Sequence, residues 1–598
     1  MMSLHIWLRS SRGTVANHES TKARKQRRLL SVSWFRVFVL SWCIGGALLF
    51  AAADGLDPSR LLKPLAEDWT SYSGDYTGKR YSSLTQINQA NVKALTLAWV
   101  HRMTGAPSAG GGRGRGGFAP PAAETIIGGE GDGTVVVGDA LSVKGSILQV
   151  NGVLYVSAPD HAWAIDAYSG REIWHFFWRT KGGDHIGNRG LGMYGNWLYL
   201  ETPDGYVVSL DAATGKERWH KQIVDVRSEY FTTVAPVVIR NHVILGMGGD
   251  ALDVPGWLES RDPDTGEVQW KWYTTPRPGE RGAETWPDAY AMEHGGGMPW
   301  TPVTYDPELN LIYVPTGNPN PVYRGDARKG SNLYTASIVA LNADTGKMAW
   351  YFQSSPHDTH DWDATQVPVL FDASFNGQPR KLLAQASRNG IFFLLDRVTG
   401  QNLLSVPYIE SANWFKGFDD KGQPIPNADK EASLGGALVS PNNGGGQNWT
   451  PPTYDPDTGL IYLNASQGYE IHYKWDVDGP TFGSAGHAAR AVGGINTSLR
   501  AIDYRTGKAK WTHTYPGTEW NPPRPELLGG LLSTAGRLVF AGAPGNYIVA
   551  YDPATGRQLW HAGFREPMSN TPITYMLNGR QQLVVAAGDT LYAFALQQ

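Results

Sequence analysis

Asp211-Ala-Ala-Thr-Gly-Lys-Glu-Arg-Trp219 is one copy of a nine-residue phrase, Asp-x-x-Thr-Gly-x-x-x-Trp, that returns along the 598-residue chain. Five further copies match closely and two are degenerate: Asp166–Trp174 (with Ser169 for the Thr), Asp262–Trp270, Asn342–Trp350, Asp503–Trp511 and Asp552–Trp560, then Asp396–Leu404 and a segment that ends at Trp99 without the Thr-Gly. Each copy follows an apolar or alternating run, which is typical of a strand, an Asp/Gly turn and a second strand. The Asp can bond turn amides, the Gly supplies a positive φ, and the Trp ring can pack on the next unit.

These eight repeats predict an all-β chain, an eight-bladed β-propeller with tryptophan-docking repeats. One unit cannot bury its own faces, so sheets of about four strands arranged around an axis are the natural solution. The spacing is uneven, because the stretches from Trp270 to Trp350 and from Leu404 to Trp511 are much longer than one blade requires. Long excursions in a compact fold usually carry function. The Gly-rich stretch Pro107–Gly133 is instead expected to be a surface loop.

The composition agrees with many short strands and tight turns, since the chain contains 71 Gly and 23 Trp residues. The formal net charge is only -3, and no basic stripe with interleaved aromatic residues is present in the body of the chain. We therefore expect no nucleic-acid partner.

The N-terminal residues 1–53 combine basic residues between Lys22 and Arg28 with an apolar run, Val37–Phe50, and three alanines. This order predicts an exported, periplasmic protein, whose N-terminal segment is either a signal peptide or a membrane anchor. Residues 54–598 are then the propeller domain. The only cysteine, Cys43, lies in the N-terminal segment, and the sequence contains no Cys-x-x-Cys-His for a covalent haem.

The start of the predicted propeller resembles the N-terminal signature of the dehydrogenases that depend on pyrroloquinoline quinone (PQQ). The segments that carry this resemblance are Asp68-Trp69, Arg80–Leu84 and Ile87–Lys93, and the likeness runs from about Asp68 to the C-terminus. The family includes methanol-dehydrogenase-like and glucose-dehydrogenase propellers. The resemblance implies an enzyme that oxidises an alcohol or a sugar with metal-bound PQQ.

The resemblance assigns catalytic and metal-binding roles to two motifs, Gly317-Asn318-Pro319 and Asp361-Trp362-Asp363. Asn318 takes the position of a metal ligand, and Asp361 takes that of the catalytic base, which also lies at the metal. A carboxylate can accept a hydroxyl proton, and amide and carboxylate oxygens suit a hard cation. Asp363 is a further carboxylate ligand, as in relatives that use lanthanides. We expect Ca²⁺, with a lanthanide as the alternative, and we expect the nearby Asp358 to be a solvated turn residue.

The resemblance also implies a set of PQQ contacts. Trp300 would form the floor under the quinone, and Arg388 would polarise the quinone oxygens as a second catalytic residue. The remaining cofactor-binding positions are Arg189, Thr233, Gly248, Gly249, Asn448 and Trp449.

Several positions depart from the family pattern. Gly183-Asp184 stands where adjacent cysteines usually form a disulfide, Lys144 stands near the position of a Glu that contacts PQQ, and Met298 stands where Thr is common. The metal-ligating Glu is also missing, and Asp250, one residue early, is the nearest carboxylate. These differences leave the substrate open.

The predicted reaction is proton abstraction from the hydroxyl with hydride transfer to PQQ, followed by electron transfer to an external cytochrome c or ubiquinone. Two alternatives remain at this level. The chain could be a non-catalytic scaffold propeller of the outer-membrane assembly type, or a relative that has lost its activity. The motifs around Asn318 and Asp361 favour the enzyme, because a scaffold has no need of them.

Overall fold

The computed structural model describes residues 55–63, 65–105, 141–180, 186–228, 230–248, 253–477 and 483–597. The strands of these ranges are numbered in chain order. The first eighteen are β1 Tyr81–Ser82, β2 Leu95–Arg102, β3 Leu148–Val150, β4 Val153–Ala158, β5 His161–Asp166, β6 Glu172–Phe177, β7 Gly192–Tyr194, β8 Trp197–Glu201, β9 Tyr206–Asp211, β10 Glu217–Gln222, β11 Val237–Ile239, β12 His242–Leu245, β13 Trp257–Arg261, β14 Val268–Tyr273, β15 Thr304–Asp306, β16 Leu311–Pro315, β17 Ser337–Asn342 and β18 Met348–Gln353.

The second half of the described chain continues the same pattern. Its strands are β19 Val369–Phe375, β20 Gln378–Ala386, β21 Ile391–Asp396, β22 Asn402–Pro407, β23 Phe415–Phe418, β24 Pro424–Pro426, β25 Ala437–Val439, β26 Thr453–Asp455, β27 Leu460–Lys474, β28 His487–Asp503, β29 Lys508–Thr514, β30 Leu531–Thr534, β31 Leu538–Ala543, β32 Tyr547–Tyr551, β33 Gln558–Gly563, β34 Ile573–Leu577, β35 Arg580–Ala587 and β36 Thr590–Leu596.

Helices are few and short in the described ranges. The α-helix is α1, Ala289–Glu293, and the 3₁₀ turns are Pro58–Leu62, Val92–Ala94, Val226–Ser228, Ala283–Thr285, Gly325–Arg328, Ala428–Lys430 and Pro525–Leu528. No helix in the part of the chain that the structure describes is long and apolar enough to cross a membrane.

The strands form eight antiparallel blades, which confirms the prediction of an all-β, eight-bladed propeller. Six blades run in chain order: β3–β6, β7–β10, β11–β14, β15–β18, β19–β22 and β26–β29, the last of which also includes β25. In the seventh blade, β1 adds to β30–β33 by parallel pairing. The eighth blade joins the two ends of the propeller, because β2 pairs with β36 from Leu95 opposite Leu596 to Arg102 opposite Thr590. This pairing closes the ring without leaving an open edge between the first and last blades.

The repeat tryptophans dock each blade on the next one. The Trp174 indole N–H donates to the Ala212 carbonyl at 3.0 Å, and Trp350 donates to Arg397 at 3.2 Å. Six of the rings also lie against the repeat Gly of the following blade, as Trp174 lies against Gly215. In the degenerate copy, Leu404 packs close to Gly507 in the same way. The Gly is therefore required both for its positive φ and for the space that the ring fills.

We expect Gly400→Ala to destabilise the fold more than Gly377→Ala. Both glycines have a positive φ, of 76° and 77°, but a Cβ at Gly400 would lie 2.6 Å from the Trp350 ring, whereas nothing lies within 4 Å of one at Gly377. Both substitutions carry the cost of placing alanine at a positive φ. The free energy of unfolding of Gly400→Ala should therefore be lower than that of Gly377→Ala by the cost of the clash with the ring, about 1–3 kcal/mol. Urea unfolding of both variants measures it. Equal free energies of unfolding for the two variants would show that the Trp350 ring can move aside for the added methyl group without cost.

The candidate site residues lie at one end of the propeller. Within a blade the first and second strands are antiparallel, so residues before the first strand and after the second strand meet at the same end. Trp300 precedes β15 and Asn318 follows β16 in one blade, while Asp363 precedes β19 and Arg388 follows β20 in the next blade. The long excursion from Trp270 to Trp350 contains Trp300 and Asn318, and the one from Leu404 to Trp511 contains Asn448 and Trp449.

Candidate active site

Arg388 joins the two carboxylates of the Asp361-Trp362-Asp363 motif. Its Nη1 donates to Asp363 Oδ2 at 2.5 Å and its Nη2 donates to Asp361 Oδ2 at 3.0 Å. Its Nε also donates to the Asn443 carbonyl at 2.8 Å. Burial alone would lower the pKa of Arg388, but the charges of Asp361 and Asp363 raise it above its usual value. The guanidinium is thus a permanent cation between two acids.

Asn318 belongs to the same cluster. Its backbone N–H donates to the other oxygen of Asp363, Oδ1, at 2.9 Å. The Asn318 side-chain amide nitrogen donates to the Pro319 carbonyl at 3.1 Å and to Asn320 Oδ1 at 3.2 Å. No hydrogen bond from the described residues reaches the Asn318 side-chain oxygen, which leaves that oxygen available to a cation.

Asp361 has a backbone φ of 66°, a left-handed conformation that Asp tolerates better than most residues. Its side chain is 22% exposed, whereas the side chains of Asp363 and Arg388 are only 6% exposed. Asp361 is therefore the carboxylate of the cluster that a small molecule can reach, as a catalytic base must be.

Asp358 is buried, contrary to the expectation of a solvated turn. Its Oδ2 accepts from the Trp362 amide at 3.0 Å, and its Oδ1 accepts from the His360 amide at 3.4 Å. Burial raises the pKa of Asp358 to about 6, and the Trp362 amide and the charge of Arg328 limit that rise. Asp358 therefore shapes the turn that presents Asp361, which periodicity could not reveal.

A second cluster holds a buried cation between two indole rings. The Arg189 guanidinium lies 5.2 Å from the centre of the Trp300 ring and 4.0 Å from that of Trp449. The Arg189 backbone N–H donates to the Thr233 carbonyl at 2.8 Å, and the Thr233 hydroxyl donates to the Trp300 carbonyl at 3.3 Å. The Asn448 side-chain oxygen accepts from the Trp449 amide at 2.8 Å. The fold thus brings together Arg189, Thr233, Trp300 and Trp449, which are far apart in the sequence.

Arg189 is suited to a flat anion. Burial lowers its pKa to about 10, so it remains charged at neutral pH. Its Nε is buried and has no hydrogen-bond partner within the described ranges. A buried donor without a partner is costly, so an anionic ligand that satisfied it would be stabilised.

Gly248 lies beside the segment that carries Thr233. The Gly248 amide and carbonyl pair with those of Phe231, which is two residues before Thr233. A Cβ at Gly248 would lie 2.5 Å from the Phe231 ring, which explains the Gly. Gly249 and Asp250 lie outside the described residues, as does Gly183-Asp184. Within the described ranges, no group of three or more His, Cys, Asp or Glu side chains is placed to hold a metal ion.

Glu526 links the two clusters and was not identified from the sequence. Burial is the largest influence on the pKa of both Arg189 and Arg388 and acts to lower it, and the negative charge of Glu526 is one of the influences that oppose this lowering at each arginine. Its Oε1 lies 2.5 Å from Arg524 Nε. Glu526 and Trp449 also line one cavity of about 520 Å³. No motif marks Glu526, since its role depends on two arginines from distant blades.

Glu201, at the end of β8, is a second carboxylate that the sequence did not mark. It is fully buried, and neither of its oxygens has a hydrogen bond of normal geometry within the described ranges. Burial, followed by the charge of Glu259, raises the pKa of Glu201 well above its usual value, and the amides of Val234 and Gly246 only partly oppose this. These amides belong to the segments that carry Thr233 and Gly248.

We expect Glu201→Gln to be more stable than the wild type at pH 8. The difference in stability between the two proteins should disappear at about pH 4. Burial raises the pKa of Glu201 on folding, so the unfolded chain gives up this proton at a lower pH than the folded protein does, and wild-type stability falls as the pH rises above the ordinary pKa of 4.5. Each unit of pKa shift corresponds to about 1.4 kcal/mol. Thermal unfolding of both proteins at the two pH values measures the difference, with the exposed Glu519→Gln as a control. A less stable Glu201→Gln at pH 8 would contradict it.

Comparison with known proteins identifies the family. The family model of the PQQ glucose/ethanol/alcohol dehydrogenase β-propeller domain matches residues 69–413 and 497–583. The quinohemoprotein alcohol dehydrogenase of Comamonas testosteroni is 34% identical over 606 aligned residues, which cover 92% of this chain and 78% of that protein.

Solved structures agree with this assignment. The quinohemoprotein alcohol dehydrogenase ADHIIG of Pseudomonas putida HK5 superposes with a TM-score of 0.78 at 29% identity, covering 91% of this chain and 83% of that one. A europium-containing methanol dehydrogenase superposes with a TM-score of 0.76 at 25% identity, covering 89% and 98%. The chain therefore belongs to the PQQ glucose/ethanol/alcohol dehydrogenase family of β-propeller proteins.

Proposed function

We propose that this protein is a PQQ-dependent dehydrogenase that oxidises an alcohol, with Asp361 as the base that accepts the hydroxyl proton. The observation that carries the proposal is the double ion pair of Arg388 with Asp361 and Asp363 at one end of the propeller. The alcohol dehydrogenases among the relatives support an alcohol rather than a sugar as the substrate. They also favour an enzyme over a non-catalytic scaffold.

The second cluster is where PQQ would bind. A buried cation with an unused donor, placed between Trp300 and Trp449, fits a flat molecule that carries several carboxylates. Thr233, Gly248, Gly249 and Asn448 complete the proposed set of contacts. Bound PQQ would supply the two-electron acceptor for the hydride, which no side chain can supply.

The oxygen ligands proposed for a metal ion are Asn318, Asp361, Asp363 and Asp250. Carboxylate and amide oxygens suit hard cations, and additional carboxylates favour a higher charge. We propose Ca²⁺, with a lanthanide as the alternative that the similarity to a europium-containing enzyme supports. Arg388 already holds Asp363 at 2.5 Å, so part of the charge of that carboxylate is balanced by the protein.

The chain's own groups explain how a proton can be taken at the site. Asp361 is partly accessible, and its Oδ2 is held in place by Arg388. A carboxylate held in this way can act as a general base for the hydroxyl proton. After the chemical step, electrons would pass to an external acceptor, a cytochrome c or ubiquinone. Residues 1–53 support a periplasmic location with a possible membrane attachment.

Reconstitution tests this function. Purified protein is mixed with PQQ and either Ca²⁺ or La³⁺, cofactor uptake is followed by absorbance, and dye reduction is followed with short alcohols and glucose. We expect PQQ uptake and alcohol-dependent dye reduction with at least one ion. Failure to take up PQQ with either ion would refute the proposal, and uptake without turnover would indicate a relative that has lost its activity.

A further inference from the structure

Arg388 has a third partner besides Asp361 and Asp363. The Asn443 carbonyl accepts from Arg388 Nε at 2.8 Å and from Arg388 Nη2 at 2.5 Å. The guanidinium is planar and rigid, so two bonds to one oxygen fix the direction in which the rest of the group faces the two carboxylates. The position of Asn443 therefore sets the orientation of the Arg388 fork.

The segment 442–446, which carries Asn443, contacts both halves of the ion-pair cluster. The Gly446 amide donates to the Arg388 carbonyl at 2.8 Å. The Asn442 carbonyl accepts from the indole N–H of Trp362 at 3.2 Å, and Trp362 lies between the two acidic residues of its motif. A shift of this segment would therefore change the geometry of the arginine and of the carboxylates together.

Glu470 of β27 holds the segment in place. Its Oε2 accepts from the Asn443 amide at 2.8 Å, and the residue is only 7% exposed. β27 is an inner strand of its sheet, because Glu470 pairs with Val439 of β25 on one side and with Ala491 of β28 on the other. The segment 442–446 lies outside the strands. The carboxylate is thus anchored on a strand paired at both edges, and it restrains a loop.

The contact of Glu470 with the loop requires an acceptor oxygen rather than a charge. Burial raises the pKa of Glu470, and the Asn443 amide and the charges of Arg524 and Arg388 oppose this rise. His472 Nε2 lies 3.6 Å from Glu470 Oε2. A carboxylate and the side-chain amide of glutamine both offer an oxygen to a backbone N–H. Glutamine should therefore be able to replace Glu470 in this contact.

We propose that Glu470 is a positioning residue for the oxidation reaction: through Asn443 it holds Arg388 in the orientation that bridges Asp361 and Asp363. This inference rests on the proposed function, because it takes the roles of Arg388 and Asp361 from there. Glu470 acts through the loop and not on the substrate. Misplacing a catalytic group by about 1 Å can lower a rate by about 100-fold.

The kinetic test compares Glu470→Gln with Glu470→Met, since the two new side chains are similar in length and only glutamine offers an oxygen. The protein is reconstituted with PQQ and assayed with the ion and the alcohol that give the fastest wild-type turnover. We expect kcat to fall by about 10- to 100-fold in Glu470→Met and to stay close to the wild-type value in Glu470→Gln. KM and PQQ content should change little in either variant, because the Arg189 cluster is untouched.

A second test needs no cofactor. Urea unfolding of Glu470→Met, Arg388→Lys and the double variant measures whether the two side chains are coupled. Residues that act through a shared partner are not additive, so Glu470→Met should raise the unfolding equilibrium constant less in the Arg388→Lys background, by a factor of at least about two. Additive effects would overturn the inference.

Asp455→Ala is the control for a weakened fold. Asp455 is also buried, at 3% exposure, and it accepts from the Asp457 amide at 2.9 Å. It is the last residue of β26, so it lies at the opposite end of the blade that contains Glu470. This variant should lose stability and keep kcat.

The outcomes separate this inference from the function on which it rests. A Glu470→Met variant that turns over like the wild type, or equal losses of kcat in Glu470→Gln and Glu470→Met, would overturn the inference while the dehydrogenase activity stood. Lack of PQQ uptake or of turnover in the wild type would remove both. If thermal unfolding shows that Glu470→Met does not fold, Glu470→Ala takes its place, since alanine also lacks the acceptor.

Discussion

Asp361→Asn is expected to lower kcat by about 1000-fold, since a positioned general base contributes on the order of 100- to 10,000-fold. Asparagine has nearly the same shape and can still accept a hydrogen bond from Arg388, but it cannot take the hydroxyl proton. Steady-state dye reduction by the reconstituted protein measures the loss. PQQ and metal content must be determined on the same sample, because Asp361 is also a proposed metal ligand.

The matched control is Asp420→Asn, which removes the same charge from an exposed position of the β23–β24 hairpin. It should keep full activity. If Asp361→Asn keeps normal PQQ and metal content and turns over within tenfold of the wild type, Asp361 is not the base. If the metal is lost, the variant instead supports the role of Asp361 as a ligand.

Arg388→Gln is expected to have the largest effect on stability. The Asp363 side chain is only 6% exposed, and removing its partner leaves a buried carboxylate uncompensated beside a second one. Breaking a buried pair in this way typically costs about 3–5 kcal/mol. Activity should fall as well, because the cation no longer holds Asp361. The urea midpoint and dye reduction measure the two effects.

Arg388→Lys separates charge from geometry. Lysine keeps a cation but cannot reach Asp361, Asp363 and the Asn443 carbonyl in one planar fork. Compared with Arg388→Gln, the Arg388→Lys variant should regain part of the lost stability and a smaller part of the lost activity. Arg380→Gln is the control, because its pair with Asp396 is 37% exposed on the Arg side and should be worth less than about 1 kcal/mol. Equal stability of Arg388→Gln and Arg380→Gln would contradict the buried-pair argument.

The propeller scaffold could be predicted because each repeat is stabilised by contacts between residues that are close together in the sequence. In Asp211–Trp219 the Asp accepts from the Thr214 amide at 2.8 Å and the Gly has a positive φ, and the Asp or Asn of four further copies accepts from the corresponding amide. The motif-based candidates could be named as well, since Asn318, Asp361, Asp363 and Arg388 belong to short and specific phrases. The roles of these four residues remain predictions, and the experiments above test them.

Other residues of the site had no signal in the sequence. Glu526 and Glu201 stand in no motif that marks a site, and Asp358 looked like an ordinary turn residue. Their importance arises from closeness in space between residues that are far apart in the sequence. Glu526 lies within electrostatic range of Arg189 and Arg388, which follow different strands of different blades, and buried Glu201 lies within electrostatic range of Glu259.

The sequence by itself determined the class of fold, the number of blades and the family, because these depend on local turns and on contacts that repeat from one blade to the next. Only the tertiary structure decided which charged side chains lie close enough to interact. The pairing of β2 with β36 closes the ring. The antiparallel order of strands within the blades places the candidate residues at a common end. Burial and Coulomb interactions act through space, so the raised pKa of Glu201 and the double ion pair of Arg388 exist only in the closed propeller.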